Sequence, residues 1–343
     1  MEIHDLNRMF DQLAPTQKQE EAVLDRLLHT ERKAVSMRKL NKWVVAGIAA
    51  ALMLVTCAAA VAAGIIDQRL LDFMHWGGQD QELLAPGAMA MVVTAEDKGA
   101  TLHVSQVLMD RYNIMLLADF TAPEGTVLDE SELGYWCFND TFKPVLELLD
   151  QEGERIDSTK QVMSYSIGAL KDEDPLDNHL TLLIRMNFTG EGIRSDWEIA
   201  SLFLPAKDLR ASDREQVKKV ITVYSGDWSC QIPITWQDMG RSIRTSQVSG
   251  QTDIPLSQVY LSPMTLQMQL EHCLKFEDIN QVTLTTKDGR SVSATLDGGW
   301  AGAGQFLIYR LDEITDPAQF RSITLSNGED KVEFSLDGPV PAE

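Results

Sequence analysis

Residues 97–120 read DKGATLHVSQVLMDRYNIMLLADF, and this stretch decides the fold class. Within it, 101–109 and 114–120 are two runs of strand length and strand composition. Working outward, further runs of the same kind follow at 180–188, 199–204, 220–224 and 228–236, and no long helical period interrupts them. Residues 145–157, with Glu152-Gly153 between short apolar runs, predict another hairpin. The stretch 211–219 reads as one brief helix or an exposed charged loop. Short strands separated by Gly, Asp and Pro turns predict an antiparallel sandwich over residues 88–245 rather than a parallel sheet.

A polar stretch, 241–253, separates this from a second series of strand runs at 258–261, 264–270, 281–286, 291–296, 305–311, 321–325 and 331–336. Asp288-Gly289 and Asn327-Gly328 are the strongest hairpin signals in the chain, because both residue types tolerate positive φ. Asp316-Pro317 predicts an N-cap with proline at the first helical position, hence a single helical turn before the last hairpin. Residues 250–340 are therefore expected to form a smaller C-terminal sandwich, of a size normal for immunoglobulin-like folds of about 100 residues.

Upstream the character changes. Residues 43–66, WVVAGIAAALMLVTCAAAVAAGII, contain no charge over 24 positions. As a helix they reach about 36 Å, enough to cross a hydrocarbon core of about 30 Å. A cleaved signal peptide, a lipoprotein cysteine at Cys57 and a buried core helix are the competing readings. Against cleavage, 42 patterned residues precede the run and it exceeds a usual signal core. Against lipidation, Thr56 stands where a small residue is usual and more apolar span follows. Arg32, Lys33, Arg38, Lys39 and Lys42 crowd the N-terminal flank, so the positive-inside rule keeps the N-terminus in the cytoplasm and the C-terminal β domains outside. Residues 67–87, with Gly77-Gly78 and Pro86-Gly87, are expected to be a linker from the bilayer.

The cytoplasmic piece, 1–42, predicts two short amphipathic helices. Ile3, Leu6, Phe10 and Leu13 recur at helical spacing, and Thr16 with Gln19 makes a capping box before a second stripe of Val23, Leu24, Leu27 and Leu28. So short a segment cannot bury a core of its own. It lies on the bilayer, self-associates, or presents that stripe to a cytoplasmic partner by helix-in-groove docking.

Composition excludes several functions. Of 343 residues, 51 are acidic and 30 basic, a net charge of −21. Residues 1–42 carry 8 basic and 7 acidic residues, whereas 67–343 carry 22 and 44, so the excess negative charge lies beyond the apolar run. Nucleic acid is thereby a poor partner. The sequence contains no P-loop, GxSxG, HExxH, CxxC or EF-hand pattern, and six scattered histidines suggest no ligand set. No enzyme activity, cofactor or metal is expected. Asp172-Glu173-Asp174 with Asp177 and Asn178 could cage calcium but lack loop spacing, so a solvated loop is the simpler reading. Cys137 and Cys230, on aromatic strands, could form a disulfide or remain buried thiols. Trp236 and Trp300 could line a groove or pack in a core.

The segment FDQLAPTQKQEEAVLDRLL, the basic flank, the alanine-rich span and the stretch from Gly99 through Val107, Leu108 and Asp110 to 114–120 resemble bacterial, clostridia-like single-pass membrane proteins with an uncharacterised extracellular domain. Leu261-Ser262-Pro263, Thr265-Leu266 and the KDGRSV turn resemble the small C-terminal β domain that accompanies it. The resemblance implies an anti-sigma-like or sensory role, with the cytoplasmic helices holding a sigma factor and the ectodomain meeting an envelope signal or other extracellular ligand. A membrane-anchored extracellular binding or adhesion module is the alternative.

Overall fold

The computed structural model describes residues 66–339, apart from 77–79, 129–132, 140–141, 151–152, 157–161, 172–173, 175, 189–191, 194–196, 214–219, 251–253, 272–278, 280, 302–303 and 329. The expected cytoplasmic helices with Val23, Leu24, Leu27 and Leu28, the basic flank Arg32, Lys33, Arg38, Lys39 and Lys42, and the expected span except Ile66 lie outside the described residues. Among the described residues no helix is long and apolar enough to cross a membrane.

The structure is mainly β. The run that opened the sequence reading forms β2 (Ala100–Met109) and β3 (Asn113–Thr121), paired antiparallel from Met109 opposite Ile114 to Thr101 opposite Thr121. A strand that sequence reading passed over, β1 (Ala88–Asp97), precedes them. Its hairpin turns through Lys98 and Gly99, both at positive φ (50° and 81°), as a two-residue turn matched to strand twist requires.

The remaining strands of the first unit are β4 (Leu133–Cys137), β5 (Val145–Leu149), β6 (Arg155–Ile156), β7 (Val162–Ala169), β8 (His179–Phe188), β9 (Glu198–Leu204), β10 (Lys207–Asp213), β11 (Val220–Asp227) and β12 (Cys230–Ile232). They form a five-stranded sheet β1-β2-β3-β8-β7 and two smaller sheets, β11-β10-β4 and β12-β9-β5-β6. The expected hairpin at 145–157 is present as β5 and β6. Residues 207–213 are a strand, so the described start of the 211–219 stretch is not helical.

One core fills the space between these sheets. Leu102, Val104, Val107 and Met109 of β2, Ile114, Leu116, Ala118 and Phe120 of β3 and alternate residues of β8 meet Trp136, Leu146, Leu202, Leu209 and Trp228. Trp228 is fully buried, stands edge-on to Phe120 at 4.8 Å and donates its indole N–H to the Ala100 carbonyl at 3.1 Å. That bond offsets the cost of taking the indole N–H out of water.

The second unit contains β13 (Arg241–Ser249), β14 (Gln258–Leu261), β15 (Thr265–Glu271), β16 (Gln281–Thr286), β17 (Ser291–Ala301), β18 (Gly304–Leu311), β19 (Phe320–Ser326) and β20 (Lys331–Pro339). These close as a barrel in the order β13-β14-β15-β18-β17-β16-β19-β20, not as the two-sheet sandwich expected over 250–340. The strand that makes the difference is β13, which pairs with both β14 and β20. In the sequence it is only a polar stretch, because Ile243 alone of its nine side chains is buried. Both glycine turns occur as expected, with Gly289 and Gly328 at φ 91° and 94°. Asp316 caps a 3-10 turn at Pro317–Gln319 by accepting the Ala318 N–H at 2.8 Å. A separate apolar core of Val259, Leu266, Met268, Leu284, Ile323, Phe334 and their neighbours fills this unit, as the interior of a small barrel requires.

Candidate functional site

The two units meet through two hairpin turns of similar construction. Between β2 and β3, the Asp110 N–H donates to the Asn113 carbonyl at 3.0 Å, while Asp110 Oδ1 accepts the backbone N–H groups of Tyr112 and Asn113 at 2.8 and 2.9 Å. Between β14 and β15, the Ser262 N–H donates to the Thr265 carbonyl at 2.9 Å, while Ser262 Oγ accepts the N–H groups of Met264 and Thr265 at 3.2 and 2.9 Å. Asp and Ser suit these corners because their short side chains mimic a backbone turn.

The tips then bond to each other. Ser262 Oγ donates to Asp110 Oδ2 at 2.7 Å, and Asn113 Nδ2 donates to Thr265 Oγ1 at 2.8 Å. Asn187, directly across β8 from Asn113, donates its amide to Asn113 Oδ1 and accepts from Ser164 Oγ at 2.9 Å. All of Asp110, Asn113, Asn187, Ser262 and Thr265 are buried. With two N–H groups on its lone pairs, the Ser262 hydroxyl has its single proton left for Asp110.

A second bracket lies beside the first. Arg111 grips Asp238 through Nη2 at 2.9 Å and Nε at 3.1 Å, and Tyr260 donates its hydroxyl to the other Asp238 oxygen at 2.6 Å. The Arg111 guanidinium stands 5.3 Å from the Tyr260 ring centroid, and Tyr112 meets that ring edge-on at 5.0 Å. Gly240 permits this packing, since a Cβ there would lie 2.2 Å from the Tyr260 ring. Farther along, Arg185 of β8 bonds Asp297 of β17 at 2.5 Å.

Burial raises the Asp110 carboxyl from 3.8 to about 6, against the opposing hydroxyls of Thr265 and Ser262 and the Tyr112 N–H, with the Asp238 charge adding to the rise. Burial, then the charges of Asp110 and Asp238, hold Tyr260 well above the usual phenol range, so it stays a donor.

No protein-family model matches the chain. No curated protein matches it either. A solved structure, that of a conserved domain protein from Bacillus anthracis, is similar over 81% of this chain and 89% of its own, with a TM-score of 0.45 and 12% identity.

The outer face of the five-stranded sheet carries the joint and a strut. Four directly paired rows run along β3 and β8: Asn113 with Asn187, Met115 with Arg185, Leu117 with Leu183, and Asp119 with Thr181. Over them lies α1 (Gln68–Phe73), whose N-cap Asp67 accepts the Arg69 N–H at 2.9 Å. Arg69 reaches Asp119 at 2.7 Å and Thr181 at 3.0 Å. Ile66, Leu70, Leu71, Met74 and Trp76 pack with Leu108, Leu117 and Leu183 of the first unit and with Met264 and Ile314 of the second. Trp76 donates its indole N–H to the Leu311 carbonyl at 2.8 Å. The stretch expected as a linker is thus, in its described residues, a strut seated on both units, continued by a 3-10 turn at Gln81–Gly87.

The other sequence candidates do not converge. Asp174 and Asp177 spend side-chain oxygens on the backbone N–H groups of Leu176 and His179 within their own loop, and among the described residues no group of three or more ligating side chains could hold a metal. Cys137 and Cys230 are both half-buried and not bonded to each other, and burial pushes the Cys230 thiol up to about 11. Trp236 packs against the first core. The side chain of Trp300 lies outside the described residues. The residues that do converge were visible only as fragments. Asp110, Ser262 and Thr265 stood inside the motifs of the resemblance, while Asn113, Asn187, Asp238 and Tyr260 carried no signal of their own.

Proposed function

We propose that this chain is a single-pass membrane regulator of the anti-sigma-like, sensory kind. In this reading 43–66 cross the bilayer, 1–42 hold a cytoplasmic sigma factor through Val23, Leu24, Leu27 and Leu28, and the β units face outward to meet an envelope signal. The first unit, in which three sheets share one core, is read as a variant of the expected sandwich.

One observation supports a sensor over a passive anchor. Ile66 is both the last residue of the apolar run and the first buried residue of the strut that packs on both β units. A slack tether would let the ectodomain move without consequence for the membrane helix. A packed connection passes displacement on, because close-packed interfaces shift as units rather than deform continuously.

The test is a pulldown of the full chain from its native membrane. A sigma factor should co-purify, and binding should be lost when Val23, Leu24, Leu27 and Leu28 are changed to Ser. A ten-residue Gly/Ser insertion after Ile66 should leave binding intact but abolish the response of the partner's regulon to truncation of the barrel. Binding indifferent to the four substitutions overturns the cytoplasmic role, and a response indifferent to the insertion overturns the coupling. A wall polymer or host protein captured in place of a sigma factor favours the binding module.

A further inference from the structure

We propose that the turn-to-turn joint is a proton-linked latch, in which uptake of one proton by the Asp110 carboxyl tightens the seat of the barrel on the first β unit. The argument begins with geometry. Asp110 is 0% exposed and receives the Tyr112 and Asn113 N–H groups and the Ser262 hydroxyl, so it is held as an acceptor on both oxygens. These are neutral donors, and a buried carboxylate supplied only by neutral donors keeps its charge at a cost.

The ionisable groups around it do not supply the missing cation. Arg111, next in sequence, is committed to Asp238. Asp238, on the segment leading into β13, brings a second negative charge, and Tyr260 of β14 bonds Asp238 as a neutral phenol. From β8, Arg185 turns to Asp297. From β18, Arg310, paired across from Thr265, directs Nη1 to the Met74 sulfur at 3.8 Å. The turn from Ser262 to Thr265 has no titratable side chain. The Thr265 hydroxyl, which accepts the Asn113 Nδ2 amide at 2.8 Å, is one more neutral partner of the carboxylate.

The sign follows from the raised value. In the closed joint Asp110 titrates at about 6, against 3.8 when exposed. Between these values the closed joint binds more protons than the open one, so closure strengthens as pH falls through 6, is fully strengthened below about 4, and gains nothing above about 7. Between pH 7.5 and 5.0 the closing equilibrium should rise about tenfold. The latch requires no property of residues 1–65 and stands apart from the regulatory reading.

Hydrogen exchange on the full chain in detergent micelles reads this directly at the amides of Tyr112, Asn113, Met264 and Thr265. After correction for intrinsic exchange, protection should be about tenfold higher at pH 5.0 than at 7.5. Asp110→Asn should flatten that difference. Ser262→Ala keeps the carboxyl but removes a donor to it, so its midpoint should move above 6. Equal protection at the two pH values in the unmodified chain, a pH dependence surviving in Asp110→Asn, or an unmoved midpoint in Ser262→Ala overturns the latch, and the last of these decides even if Asp110→Asn does not fold.

Discussion

Ser262 makes three hydrogen bonds and is fully buried. Removing its hydroxyl leaves two N–H groups and one carboxylate oxygen short of a partner inside the joint. Ser262→Ala should therefore cost about 2–3 kcal/mol, the upper range for a bond to a charged group. Ser105→Ala, which removes a single 3.3 Å bond to the Leu117 carbonyl, should cost less than about 1 kcal/mol. Urea unfolding of the two variants at pH 7.5 checks the ranking. At this scale the sequence showed the parts and not their meeting. Asp110 and Ser262 each stood in a motif of the resemblance, between strand runs, but they lie 152 positions apart, and no local period encodes a contact between two turn tips.

At the scale of elements, α1 shows how tertiary burial overrides local signals. Six residues are too few for a helix to persist in water, and Gly77-Gly78 with Pro86-Gly87 pointed to a linker. What holds the helix is the Asp67 cap, the Arg69 bridge and the burial of Leu70 and Leu71. Leu71→Ala should thus cost about 2–5 kcal/mol. Phe73→Ala, at a position 37% exposed, should cost well under half of that. Thermal unfolding of both variants measures the difference. A hint of the strut was present in β3 all along: Ile114 to Ala118 is apolar without alternation, and a strand apolar on both faces needs a cover on each. The core supplies one cover, and α1 with the joint supplies the other. By contrast β13, with one buried side chain, had no hydrophobic pattern to reveal it; its place is set by backbone pairing to β14 and β20.

On the scale of the whole molecule, two separate cores are fastened by the latch, the Arg111–Asp238–Tyr260 bracket, the Arg185–Asp297 bridge and the strut. Domains coupled this closely should unfold together. Calorimetry of the full chain at pH 6 should show one transition for the β units, and Asp110→Ala combined with Leu71→Ser should split it into two as each core melts by itself. Two transitions in the unmodified chain would show that the fastening is weaker than either core. The mainly β character was readable from run length and turn residues, whereas closure of the C-terminal unit was not, because barrel and sandwich differ by the partners of one inconspicuous strand.

That closure decides what the C-terminal unit can be recruited into. With β20 returning to β13, none of its eight strands presents an unpaired ladder of N–H and C=O groups. Among the described strands, an extended peptide can therefore extend a sheet of the first unit, where β7 for one has a neighbour on one side alone, but not the barrel. Anything that engages the barrel has to read side chains and loops, and the barrel cannot serve as a template for its own stacking into fibrils.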